Sequence, residues 1–115
     1  MTPGKAAPRA ANVDAVIGPL LARIVARWHP RQVWLFGSRA RGEANAESDW
    51  DLFVVVDDSV GDDELDPSVG RALRRECGVR ADVIPWHESE FLEFRGTPNT
   101  LAYAVATDGV LLHER

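Results

Sequence analysis

With 115 residues, 45% of them apolar, and a formal net charge of -5, the chain is long enough for one domain, too short for two, and too apolar to be mostly disordered. No apolar run approaches the roughly 18 residues of a membrane helix, and one cysteine, Cys77, excludes an internal disulfide, suits a reducing cytoplasm and, with three scattered histidines, makes a poor zinc site. The acidic balance argues against a sequence-independent grip on nucleic acid, and because twelve of the thirteen basic residues are Arg, any phosphate chemistry falls to guanidinium groups.

Residues 1–11 are small, polar and rich in Pro and Gly, and are expected to be a disordered lead-in with no apolar segment resembling a secretory signal. From Asn12, a plausible N-cap, Val13, Val16, Ile17, Leu20, Leu21, Ile24, Val25 and Trp28 recur at three- and four-residue steps. That period predicts an amphipathic helix, kinked or split at Gly18-Pro19 and stopped by Pro30. Val33-Trp34-Leu35-Phe36 predicts a short buried strand that enters a tight turn at Gly37-Ser38, with a helical turn from Ser38 to Gly42 and a polar loop over 43–48. Asp51 to Val56 predicts a central strand, apolar on both faces. The run 57–67 carries six acids, ends in Pro67 and predicts a solvated linker. A helix capped by Ser68 and ended by Gly78 follows, with Arg71, Arg74 and Arg75 on one basic face. Such a face is usually solvent-exposed and less often touches a substrate or partner. Val79–Pro85 predicts a third strand, Glu88–Phe94 and Asn99–Thr107 two helices, and Val110–Leu112 a last strand. Strands alternating with helices indicate an α/β (α+β) architecture.

Chemistry concentrates in three places. Asp49 and Asp51, two apart at the start of a strand, point to one face. Two ionised carboxylates side by side call for a cation, and Mg²⁺ suits one or two carboxylates together with substrate phosphates. Gly37 and Ser38, closing the preceding strand, offer backbone N–H groups and a hydroxyl as an anion cradle, and Arg39 and Arg41 could neutralise a triphosphate. Asp82, in the third strand, would complete a three-carboxylate cluster able to hold two metal ions. The reaction so described is in-line transfer of a nucleotidyl group from a nucleoside triphosphate. Trp50 is expected to face away from the acids and pack in the core.

Gly37-Ser38-Arg39-Ala40-Arg41-Gly42, then Asp49-Trp50-Asp51-Leu52 with ten residues separating Ser38 from Asp49, and then Asp82 resemble the DNA polymerase β-type nucleotidyltransferase superfamily. The likeness is greatest to the minimal nucleotidyltransferases, small prokaryotic proteins often paired with HEPN-domain toxins. It covers Val33 to Asp82, and the tail Thr107–Leu112 is similar to the way those proteins end. The resemblance implies a nucleotidyltransferase fold, a short mixed sheet flanked by helices, in a single domain over 12–115. It also implies Gly37 and Ser38 at the triphosphate and Asp49, Asp51 and Asp82 as Mg²⁺ ligands. Its further implication is an antitoxin that uses ATP to place AMP on a hydroxyl, often of tyrosine, of its cognate toxin. Size agrees, since the motifs leave no second domain to grip an acceptor and a partner would supply that surface. The chain is also small for a sheet buried on both faces, so an uncovered apolar surface and a hetero-complex are expected. Two other readings are a non-catalytic module that neutralises its partner by contact, and an enzyme acting on a small-molecule acceptor.

Overall fold

The computed structural model describes residues 16–43 and 48–115. The lead-in 1–11, the Asn12 cap, Val13 and most of the polar loop lie outside the described residues. Val16 and Ile17 form a wide, π-type turn ahead of α1 (Gly18–Trp28). Pro19 falls in the first turn of α1, where its missing N–H costs no helical bond, so the break expected at Gly18-Pro19 becomes a helix start. His29 ends α1 in the left-handed conformation, donating its N–H to the Val25 carbonyl at 2.9 Å. Ile17, Leu20, Ile24 and Trp28 are buried as the period required, whereas Val16 is 47% exposed, because the wide turn shifts the phase of the stripe.

After α1 come β1 (Gln32–Phe36), the single turn α2 (Ser38–Arg41) and β2 (Trp50–Val56). A 3₁₀ turn (Asp62–Leu65), α3 (Pro67–Cys77), β3 (Ala81–His87), α4 (Glu88–Phe94), α5 (Leu101–Asp108) and β4 (Val110–Glu114) complete the order. The strands form one mixed sheet, β3-β2-β1-β4. β1 runs antiparallel to both β2 and β4, while β2 and β3 are parallel, joined by the crossover that contains α3. Consequently the C-terminal end of β1 and the N-terminal ends of β2 and β3 meet at one end of the sheet.

The pleat of β2 divides the core. Trp50, Leu52, Val54 and Val56 face α1 and α3, while Phe53 and Val55 face Phe91 of α4 and Ala102 and Val105 of α5. Helices thus lie on both faces of β2; α4 and α5 are short, but their apolar residues suffice to roof Phe53, while Trp34, Phe36, Ile84 and Trp86 on that side of the sheet are only partly buried. The large apolar side chains that stay exposed among the described residues are Val16, Leu92 and Tyr103. Three further expectations are corrected. The cap of α3 is Asp66, whose carboxylate accepts the Ser68 N–H at 2.8 Å, because Pro67 takes the first helical position. The acidic linker holds the 3₁₀ turn. β3 starts and ends two residues later than expected, since it keeps pairing with β2 as far as Val56↔His87, and as an edge strand it tolerates Pro85. Among the described residues no helix is long and apolar enough to cross a membrane.

Candidate active site

β1 delivers the chain to Gly37, whose φ of 79° and ψ of -158° define a conformation that only glycine adopts without strain. Its carbonyl accepts the N–H groups of Ala40 at 3.1 Å and Arg41 at 3.2 Å, closing the turn that opens α2. The first N–H groups of any helix lack an intrahelical acceptor, and Ser38 stands at that position. Phe36 is the register partner of Asp51 across the antiparallel pair, so the turn lies against the acid. A Cβ on Gly37 would collide with Oδ2 of Asp51. The glycine expected to allow close backbone approach thus does so first toward a carboxylate of its own chain.

Asp51 and Asp82 are register partners on the parallel strands β2 and β3, which puts their side chains next to each other on one sheet face. Trp50 points to the opposite face and is buried, as expected. Asp49 lies one residue ahead of β2, where its Oδ1 meets Arg80 Nε at 3.2 Å. Both of those side chains are well exposed, so the pair is weak. The carboxyl of Asp51 is held above its ordinary pKa, first by burial and then by the charges of Asp82 and Asp49, with Arg41 acting in the opposite direction. The three acids therefore share one electrostatic site. Among the described residues, however, no group of three or more His, Cys, Asp or Glu side chains is gathered as a metal centre: Asp51 and Asp82 are neighbours and Asp49 turns to Arg80. The donor set fits Mg²⁺ in kind. It is all carboxylate oxygen, and Asp82 and Asp49 raise the cost of ionising Asp51, which a hard cation relieves. Asp49, Asp51 and Asp82 are the residues that could hold it.

The two arginines of the turn do different things. Arg39 donates from Nε and Nη2 to the Ser48 carbonyl, at 3.1 and 2.8 Å, and lies 4.2 Å over the Trp50 ring, so it fastens the loop that returns to β2. Arg41 donates to Glu43 Oε1 at 2.9 Å, and its charge reaches Asp51. Arg80 is the site residue that sequence reasoning missed. Its carbonyl accepts the Trp50 N–H at 3.0 Å, which starts the parallel ladder, and no spacing rule marks a residue so placed by strand pairing.

A strand, a glycine turn and acids entering the next two strands thus meet at the same end of a mixed sheet, and a family model, polymerase beta nucleotidyltransferase, matches residues 21–115. The chain belongs to this family. Among curated proteins no sequence matches the chain significantly. Among solved structures, this nucleotidyltransferase is similar to a chain of a toxin–antitoxin complex with AMP-PNP, at 19% identity and a TM-score of 0.57, over 84% of this chain and 72% of that one. It is similar to a Sulfolobus solfataricus protein provisionally assigned as a nucleotidyltransferase, at 20% identity and a TM-score of 0.59, over 88% and 79% of the two chains. A variant of the MntA–HpeT toxin–antitoxin gives 19% identity and a TM-score of 0.57, over 90% and 74%. At these identities the likeness is one of fold.

Proposed function

We propose that this nucleotidyltransferase, as a single domain over 12–115, moves AMP from ATP with Mg²⁺ onto a hydroxyl, that of a tyrosine, of a cognate HEPN-type toxin in the cytoplasm, and so acts as the antitoxin of a pair. The observation that carries the reading is the packing of the Gly37 turn against Asp51 with Asp82 in register beside it. The fold shared with chains from toxin–antitoxin complexes, one of them with AMP-PNP, supports the partner and the nucleotide. In the reaction the acceptor oxygen bonds to the α-phosphorus and the bond from that phosphorus to the bridging oxygen breaks. Pyrophosphate then leaves, and the hydroxyl proton is released to solvent. Magnesium, when bound, screens the triphosphate and favours the ionised acceptor oxygen. The turn N–H groups and the Ser38 hydroxyl hold phosphate oxygens, and Arg41 adds a compensating charge. Arg39 keeps the loop before β2 in place. Incubation of the protein with α-labelled ATP, Mg²⁺ and the folded product of the neighbouring gene should label that product. An unlabelled product in a demonstrated complex overturns the reading.

The Asp49–Arg80 pair favours one rival, neutralisation by contact alone, because it draws one of the three acids aside. Asp49→Ala combined with Asp51→Ala separates the two readings. Neutralisation should be lost with binding retained if transfer is required, and should survive if contact suffices.

A further inference from the structure

The sheet face that carries Asp51 and Asp82 is apolar immediately beside them. In register, Phe36, Asp51 and Asp82 form one row across β1, β2 and β3, and Trp34, Phe53 and Ile84 form the next row on the same face. Phe53 and Val55 are buried under α4 and α5. Phe36, next to Asp51, and Ile84 and Trp86, on the edge strand β3, are only partly buried. Phe53 joins them, since its ring lies 6.4 Å from that of Phe36 and 5.2 Å from that of Trp86, edge-on in both cases. The two acids thus border an apolar surface that the helices leave partly open.

The order of the first row separates the two ends of the reaction. In an in-line displacement the attacking and the leaving oxygen stand on opposite sides of the phosphorus. The Gly37 turn, where the proposed reading puts the phosphates, continues from β1 and meets Asp51. The attacking oxygen then belongs on the other side of Asp51, at Asp82, and the group that carries it lies over β3. The nucleoside is bonded to the phosphorus off the line of attack, which leaves the space over β3 to the acceptor. The next side chain on that face of β3 is Ile84, about 6.6 Å along the strand, with Trp86 beyond it. A phenol is a flat apolar ring with its hydroxyl at one end, so a ring resting on Ile84 brings its oxygen to Asp82 and meets the Trp86 indole with its other end. A serine or threonine hydroxyl has no ring to rest there. We infer that Ile84, backed by Trp86, is a shelf for the acceptor that holds the ring of a tyrosine and so selects a phenolic over an aliphatic hydroxyl. The inference rests on the proposed transfer reading for the position of the phosphates and adds to it the residues that choose the acceptor.

The probes are N-acetyl-tyrosinamide and N-acetyl-serinamide, titrated into the isotope-labelled full chain and followed by NMR. Mg²⁺ and α,β-methylene-ATP, which fills a nucleotide site without transfer, are present throughout. The nucleotide alone should shift the amides of Gly37 and Ser38. The tyrosine derivative should then give saturable shifts at the Ile84 methyl groups and the Trp86 indole, and the serine derivative should bind at least about tenfold more weakly. Ile84→Val keeps an apolar shelf and should hold the tyrosine derivative within about twofold. Ile84→Thr has the shape of valine with a hydroxyl in place of one methyl, and should weaken it by about fivefold or more. Melting temperatures establish that both variants fold. Four results overturn the inference: no saturable shift at Ile84 with the tyrosine derivative, equal binding of the serine derivative, equal binding to the two variants, or shifts at Ile84 and Trp86 already complete with the nucleotide alone, which would make the shelf a site for the base. Failure of the transfer reading appears separately, as absence of nucleotide shifts at Gly37 and Ser38 while the tyrosine derivative still binds at Ile84.

Discussion

Asp51 concentrates the electrostatic cost of the candidate site in one carboxyl group. Its pKa is raised by burial and by Asp82 and Asp49, so its contribution to stability is complete below the unfolded carboxyl value near 3.8 and is lost as pH rises through the higher folded value. At neutral pH the ionised group therefore opposes folding in the metal-free protein. Asp51→Asn should hold or raise the metal-free melting temperature at neutral pH while abolishing productive Mg²⁺–ATP binding; a clear drop in melting temperature would make Asp51 a structural partner instead. Gly37 is coupled to this residue. Gly37→Ala forces a side chain into a positive-φ turn and onto the Asp51 carboxylate, which should cost about 1–3 kcal/mol in urea unfolding. With Asp51→Ala as background the collision is gone and only the backbone strain is left, so the cost should fall by about 1 kcal/mol. Equal costs in the two backgrounds would show that the turn does not press on the acid. Residue type and spacing mark Gly37, Ser38, Asp49, Asp51 and Asp82 as the candidate site in the sequence. The sequence did not show that Arg39 lies on Trp50 or that Arg80 meets Asp49, because those contacts depend on where a loop returns and on which strands pair.

Among the elements, β1 and β2 were the most legible, since continuous apolar runs ending in glycine or acids admit few other structures. β3 was legible in kind and displaced in extent. Val79 continues the alternation and packs on the core without pairing, whereas Trp86 and His87 pair past a proline that would normally end a strand. The 3₁₀ turn at Asp62–Leu65 was hidden because a run whose apolar residues are only Val60 and Leu65 shows no period; its support comes from Leu65 packing on the core and from Trp28 Nε1 donating to the Glu64 carbonyl at 3.0 Å. Gly70 in α3 gave no signal as a contact residue, yet it sets the distance between α3 and β3. A methyl group there meets the Val83 carbonyl at 3.1 Å and the Val83 Cβ at 3.2 Å. Neither atom can give way easily, since both belong to a strand held by β2. Gly70→Ala should accordingly destabilise by about 1–3 kcal/mol, even though alanine is the better helix former by about 1 kcal/mol. Denaturant melts decide it, and a stabilised variant would show that α3 is free to shift on the sheet.

At the scale of the molecule, the acidic stretch after β2 serves to close the structure as well as to face solvent. Asp57 accepts the Ser59 N–H at 3.0 Å and an Arg31 Nη2–H at 3.1 Å, with Arg115 Nη2 at 3.8 Å. Arg115 also donates its main-chain N–H to the Arg31 carbonyl and its guanidinium to the His29 carbonyl, each at 2.9 Å. One carboxylate thus joins the segment entering β1, the loop leaving β2 and the end of the chain after β4. Its pKa is lowered to about 2, first by the Ser59 hydrogen bonds and then by Arg31. The sign is opposite to that of Asp51: the stability it contributes is present above the unfolded value near 3.8 and is lost as pH falls through about 2. Asp57→Asn should therefore lower the melting temperature at neutral pH, and the gap from the unsubstituted protein should close as the pH is taken down to about 2. Because the Asp57 side chain is about one-third exposed and its arginine partners are more so, the effect should be modest and should shrink further with salt. Thermal melts at a series of pH values, at low and high salt, measure it. A gap that is absent at neutral pH, or that widens in acid, would show that Asp57 is merely solvated and that the chain end is held by its two main-chain carbonyl contacts alone.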